Sequence, residues 1–301
     1  MEKHKLCFIV GVTLVISAVT MYLSKIREFS YEIKRYDDLP FGISTHTKFE
    51  TSFFNHFSKE QDFIMAEPEY IENGVFDKLT TPNKYIILND SHYKNIENYF
   101  ILAQEIDSTL IIYTPQESDF NMPFEDRISK KQSGVSIEEF MKTAYKLAKK
   151  YKIILGYSPT KSQLESEDTW YLKYTRFILL KTDFYQNDTD YTEKVTSLVE
   201  KLRGKNPYLY IMTQISVHPP NKLNISTDEM VHQIESVRDI VDALHLYYIP
   251  SKETKLRYLS LAEVLYHFRG DTIQESLKSV QNNRELIPRE VEENTELDVE
   301  N

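Results

Sequence analysis

The sequence predicts an α/β fold, a (β/α)8 TIM-type barrel behind an N-terminal transmembrane anchor, with an acidic disordered C-terminal tail. Three observations predict it. Short apolar runs alternate with helical patterns through about 250 residues, the length of a typical eightfold barrel. Several runs, such as Tyr85-Ile86-Ile87-Leu88, Leu110-Ile111-Ile112-Tyr113 and Phe177-Ile178-Leu179-Leu180, are apolar throughout, as parallel strands covered on both faces should be. Two helical stretches open on capping boxes, Ser136-x-x-Glu139 and Ser226-x-x-Glu229. A doubly wound open sheet is the alternative that the same alternation allows.

Composition agrees with a globular chain and narrows its partners. The 301 residues are 41% hydrophobic and 27% charged, which excludes a collagen-like repeat or a chain disordered throughout. A net charge of -10 with no basic stripe argues against nucleic acid, whose phosphates draw on clustered Lys and Arg. The one cysteine, Cys7, rules out an intramolecular disulfide framework and multi-cysteine metal sites.

Taken in order, the first element is the uncharged run Leu6 to Leu23, 18 residues behind the basic start MEKHK. It is at the lower edge of what crosses a bilayer, and no A-x-A-like cleavage site follows it, so it predicts an uncleaved signal anchor over residues 1–24. The barrel then occupies 25–276 and is expected outside the cytoplasm, with the membrane as partner through the N-terminal helix. Lys25, Arg27, Lys34 and Arg35 follow the span and pull the other way, while the Asn89, Asn187 and Asn224 sequons favour export. The strands are expected at Phe41 to Ser44, Asp62 to Ala66, Lys84 to Leu88, Thr109 to Tyr113, Lys152 to Gly156, Arg176 to Leu180, Tyr208 to Thr213 and Ala243 to Tyr248. Between them, Ile137, Phe140, Met141, Ala144, Leu147 and Ala148 lie on one helical face. Val195, Leu198, Val199 and Leu202 repeat that spacing, as do Met230, Ile234, Val237, Ile240 and Val241. The tail, 277–301, is acidic, with seven acids and two arginines from Gln281 onward.

In such a barrel the carboxyl ends of the strands form the working face, so its polar residues are the candidates. They are Glu67, Asn89, Asp90, Tyr113, Glu117, Tyr157, Lys181, Asp183, Gln214, His218 and Tyr248. Glu117 follows strand four in the longest loop, where Phe120 and Phe124 could shield a proton-donating carboxyl; a solvated glutamate is the plain alternative. Lys181 and Asp183 leave strand six two residues apart and therefore share a side, as a site or as an ion pair. Gln214 ends strand seven with an amide suited to a sugar hydroxyl. Asn89 and Asp90 would add polar contacts, and Tyr157 and Tyr248 would offer rings on which a sugar stacks. His218 has no second ligand at metal spacing. No HExxH, phosphate loop or GxSxG elbow occurs, so neither metal nor cofactor is expected.

Five segments, IIYTPQESDFNMPFEDR, KKYKIILGYSPT, FILLKTDFYQ, GKNPYLYIMTQIS and VRDIVDALHLYYIP, resemble an uncharacterised family of exported glycoside-hydrolase-like TIM-barrel proteins. The resemblance runs from about Leu110 to Pro250. It implies that Glu117 and Gln214 belong to a carbohydrate pocket. Where such barrels would carry a second carboxylate at the end of strand seven, this chain has Gln214, Ile215 and Ser216, which leaves Asp183 or Asp90 to partner Glu117. Three functions follow: a hydrolase using Glu117 and Asp183, a glycan-binding barrel without turnover, or a membrane-tethered scaffold whose tail recruits partners.

Overall fold

The computed structural model describes residues 38–46, 51, 54–55, 58–77, 79–115, 135–217, 225–247, 261, 263–265 and 267–269. The apolar run 6–23, Glu117, His218, Tyr248 and the tail lie outside them. Among the described residues no helix is long and apolar enough to cross a membrane.

Eight strands, β1 (Phe41–Ser44), β2 (Phe63–Ala66), β3 (Asn83–Leu88), β4 (Leu110–Tyr113), β5 (Ile154–Tyr157), β6 (Phe177–Lys181), β7 (Tyr210–Ser216) and β8 (Ala243–Tyr247), close into one barrel in chain order. All eight pairings are parallel, including that of β1 with β8. This is the barrel and not the open sheet. Helices α1 (Pro68–Glu72), α2 (Ile96–Glu105), α3 (Ile137–Tyr151), α4 (Lys161–Glu165), α5 (Tyr191–Lys205) and α6 (Thr227–Val237) follow β2 through β7 in turn. Neither α1, α2 nor α4 was expected from the sequence: α1 and α4 are only five residues long, whereas α2 carries the helical spacing of Ile96, Tyr99, Phe100 and Ala103, a signal that went unread.

Alternation along each strand divides the core in two. Ile43, Ile64, Ile86, Ile111, Leu155, Ile178, Ile211 and Leu244 face outward and join one cluster with helix residues such as Phe100, Phe140, Ala144 and Val199. Phe63, Met65, Leu110, Ile112, Phe177, Leu179 and Met212 are buried on the opposite parity, inside the barrel. Phe63 stacks on Tyr85 at 5.3 Å and Phe177 on Tyr210 at 5.1 Å between ring centres. Gly42 makes room for this filling: a Cβ there would stand 1.8 Å from the Phe63 ring.

Helix ends follow their local chemistry. Ser136 Oγ accepts from the Glu139 N–H and Ser226 Oγ from the Glu229 N–H, each at 3.2 Å. The reciprocal boxes sit elsewhere, at Asn89 with His92 and at Thr160 with Gln163. Lys152 ends α3 in the left-handed region, with φ of 56°, so β5 starts at Ile154 rather than at Lys152. Tyr208 is exposed in a turn, and β7 therefore runs later than expected, through Gln214 to Ser216.

The amino-terminal end of the barrel is sealed by two carboxylates. Asp62 accepts the N–H groups of Phe41 and Lys59, each at 2.8 Å, and pairs with Arg269 at 2.8 Å. Both partners are buried, and the Arg269 guanidinium also lies 4.7 Å from the Phe41 ring centre and donates to the Leu39 carbonyl at 3.2 Å. Asp242, before β8, takes the Ile211 N–H at 2.8 Å and Arg203 at 3.0 Å.

Candidate functional site at the carboxyl end of the barrel

Inward-facing positions near the carboxyl ends of β1, β6, β7 and β8 are Ser44, Lys181, Gln214, His245 and Tyr247, a polar layer above the apolar filling. Register sets Lys181 beside Gln214 and Gln214 beside His245. Ser44 Oγ lies 2.9 Å from His245 Nε2, His245 Nδ1 lies 3.2 Å from Gln214 Oε1, and Gln214 Nε2 donates to Asp183 Oδ2 at 3.3 Å. Ser44, His245, Gln214 and Asp183 are all buried. Burial, helped by the nearby charges of Lys181 and His46, pushes His245 down to about 3, so its ring is neutral at ordinary pH. Tyr247 is pushed up to about 12, first by burial and then by the charges of Asp183, Glu67 and Tyr70. Asp183 and Glu67 therefore both lie within electrostatic reach of the Tyr247 hydroxyl.

Glu67 belongs to the adjoining corner, at the exit of β2. It is half-buried, and loss of solvent holds its carboxyl above the usual glutamate range. The neighbouring Glu69 pushes it the same way, while a hydrogen bond from Asn89 opposes the shift. Glu67, Glu69 and His92 are the group, among the described residues, whose donor atoms come close enough to surround a cation, within 4.8 Å of one another. Their hydrogen bonds argue against that use. The Asn89 N–H donates to His92 Nδ1 at 2.9 Å, so the ring proton is on Nε2 and points at Glu69, 3.0 Å away. The nitrogen that faces the carboxylates has no lone pair to offer a metal.

The sequence candidates fall into four groups. Lys181, Asp183 and Gln214 meet at the mouth, as their strand positions predict. Asn89 and Asp90 lie at the β3 exit but are engaged locally: Asn89 Oδ1 accepts from the Ser91 N–H at 3.0 Å, and Asp90 accepts from the Tyr113 hydroxyl. Burial and that carboxylate together raise Tyr113 well above the ordinary range of a phenol. Tyr157, expected to offer a ring at the mouth, is corrected: it is fully buried on the outward face of β5. Its ring centre lies 5.1 Å from that of Tyr171 and its hydroxyl donates to Gln163 at 2.7 Å, so no face is left for a ligand. Glu117 and Tyr248 lie outside the described residues. The residues that sequence reasoning missed are Ser44, His245 and Tyr247; Glu67 was noted at its strand end but given no role.

No protein-family model matches the chain, and neither does any curated protein. Similar solved structures include the glycoside hydrolase domain of PgaB (BpsB) from Bordetella bronchiseptica, with 8% identity and a TM-score of 0.47 over 76% of this chain and 98% of that one. A psychrophilic glycoside hydrolase family 10 endo-beta-1,4-xylanase shares 12% identity with a TM-score of 0.36, over 77% and 83% of the two chains. The carboxyl transferase domain of Rhizobium etli pyruvate carboxylase shares 10% with a TM-score of 0.44, over 74% of this chain and 42% of that one. A fold by itself fixes no chemistry, and the residues of the mouth have to carry any functional argument.

Proposed function

We propose that the carboxyl-end mouth binds a carbohydrate and cleaves a glycosidic bond in it. The observation that carries the reading is a pair of carboxyls in unlike surroundings on one rim. Asp183 is buried and takes a hydrogen bond from the Gln214 amide, while Glu67 is half-buried and held above its usual range by desolvation, which favours its acid. Glycoside hydrolysis needs such a division of labour, one carboxylate to attack or stabilise and one carboxylic acid to protonate the leaving oxygen. Lys181 and Tyr247 supply donors for sugar hydroxyls. Glu117, in the loop after β4, is the second possible acid, on the resemblance of its loop to glycoside-hydrolase-like barrels.

The test uses the full chain against a glycan array and chromogenic glycosides. Asp183→Asn is expected to abolish turnover while binding survives. Of Glu67→Gln and Glu117→Gln, the one that removes the general acid should lose about 10²- to 10⁴-fold in rate. Binding without hydrolysis in the wild type would make the barrel a glycan-binding module. Silence in both assays would overturn the proposal in favour of a tethered scaffold.

We also infer that the barrel is tethered outside the cytoplasm by the apolar run 6–23. Tyr208 is exposed, so Tyr208→Cys in a Cys7→Ser background reports its side of the membrane. Labelling by an impermeant thiol reagent in intact cells is expected; labelling only after lysis would overturn the inference.

A further inference from the structure

The polar layer inside the barrel has a direction, and the direction follows from one carboxylate. Gln214 Nε2 donates to Asp183 Oδ2 at 3.3 Å, so the group of Gln214 that faces the carboxyl is the NH2, and the amide oxygen is turned toward His245. That oxygen can only accept in its turn, so His245 Nδ1, 3.2 Å away, carries the ring proton. A neutral imidazole protonated at Nδ1 has its lone pair on Nε2, 2.9 Å from Ser44 Oγ, and the serine hydroxyl therefore donates. Turning the Gln214 amide would set its oxygen against the Asp183 carboxylate, and moving the ring proton alone would set two acceptors, His245 Nδ1 and Gln214 Oε1, against each other.

We propose that Asp183 polarises a four-residue relay, in which Ser44 donates to His245, His245 to Gln214 and Gln214 to Asp183, and that the relay locks His245 as the neutral Nδ1–H tautomer. Ser44, His245 and Gln214 are then positioning residues that hold the Asp183 carboxylate in one orientation. They come from β1, β8 and β7, and Asp183 lies just past β6, so one chain of bonds ties together four neighbouring strands. Bonds aligned in one sense polarise one another in a poorly solvated interior, which strengthens the last of them, the one that reaches Asp183. His245 conducts this order and is not itself a base, because burial and the charges of Lys181 and His46 oppose its protonation. The value of the relay to catalysis rests on the glycosidase reading; its existence does not.

The experiment records the ring nitrogens of His245 by nitrogen–proton correlation NMR on the full chain with 15N-labelled histidine, His245→Asn serving to assign the signal. A neutral Nδ1–H tautomer is expected to persist from about pH 8 to about pH 5, well above the His245 value of about 3. Asp183→Ala removes the terminal acceptor, lets the Gln214 amide turn, and is expected to release the ring toward the Nε2–H tautomer. Asp183→Asn keeps an acceptor oxygen and is expected to keep the tautomer. An Nε2–H ring in the wild type overturns the proposal without any variant, and so does an unchanged ring in a folded Asp183→Ala protein. Failure of the chain to cleave glycans would leave these spectra unaltered, which separates the two proposals.

Discussion

The two ends of this barrel are made by the same strands and handle charge in opposite ways. At the amino-terminal end, Asp62 takes two backbone N–H groups and an arginine, and Asp242 takes one backbone N–H and an arginine. At the carboxyl-terminal end, Asp183 meets an amide in place of an arginine, Glu67 is held above its usual range, and His245 is kept neutral. The first arrangement neutralises charge where strands must be anchored. The second leaves charge and protons available, at a cost in stability, which is the division expected between the structural and working faces of a (β/α)8 barrel.

The strongest way to break this contrast is at the sealed end. Arg269→Met strips the buried Asp62 of its cation, and leaving one partner of a buried pair uncompensated costs about 3–5 kcal/mol. Thermal unfolding should therefore fall by roughly 6–20 °C for a domain of this size. A fall of a degree or two would mean that water replaces the arginine and that the seal is not structural.

A smaller effect of opposite sign is expected at the open end. The folded-state value of Glu67 is raised, so the stability linked to its protonation is full below the ordinary value of 4.5 and is lost as pH rises through the raised value. Glutamine never ionises. Glu67→Gln should thus gain stability relative to the wild type between about pH 4 and about pH 7, measured as the change in the difference of their melting temperatures. A variant that becomes relatively less stable toward neutral pH would assign Glu67 to an ion pair and remove the contrast.

Much of the fold was legible because continuous apolar runs need cover on both faces and alternate with helical patterns, a signal that the barrel shares with an open doubly wound sheet; the pairing of β1 with β8 is what closes it. The errors lie at ends governed by single residues: the left-handed Lys152 delays β5, and the exposed turn at Tyr208 shifts β7 onward. Lys181, Asp183 and Gln214 were legible as polar groups closing apolar strands. Tyr157 was misjudged for a general reason. When both faces of a strand are buried, apolar alternation does not say which face looks inward, and Tyr157 looks outward at the helices. His245 hides inside the run ALHLY, where it reads as one more strand residue.

Patterns within a dozen residues were enough to show how many strands there are, that they are of the parallel type and where two helices are capped, and composition alone shows the acidic balance. The strand order and the site depend on closure. Ser44 and His245 are 201 positions apart and His245 and Gln214 are 31 apart, and their hydrogen bonds exist because closure of the barrel brings β1, β8 and β7 side by side. Loss of water inside that closed sheet, which no local pattern records, keeps His245 neutral, and partial burial at the exit of β2 holds the Glu67 carboxyl above its usual range.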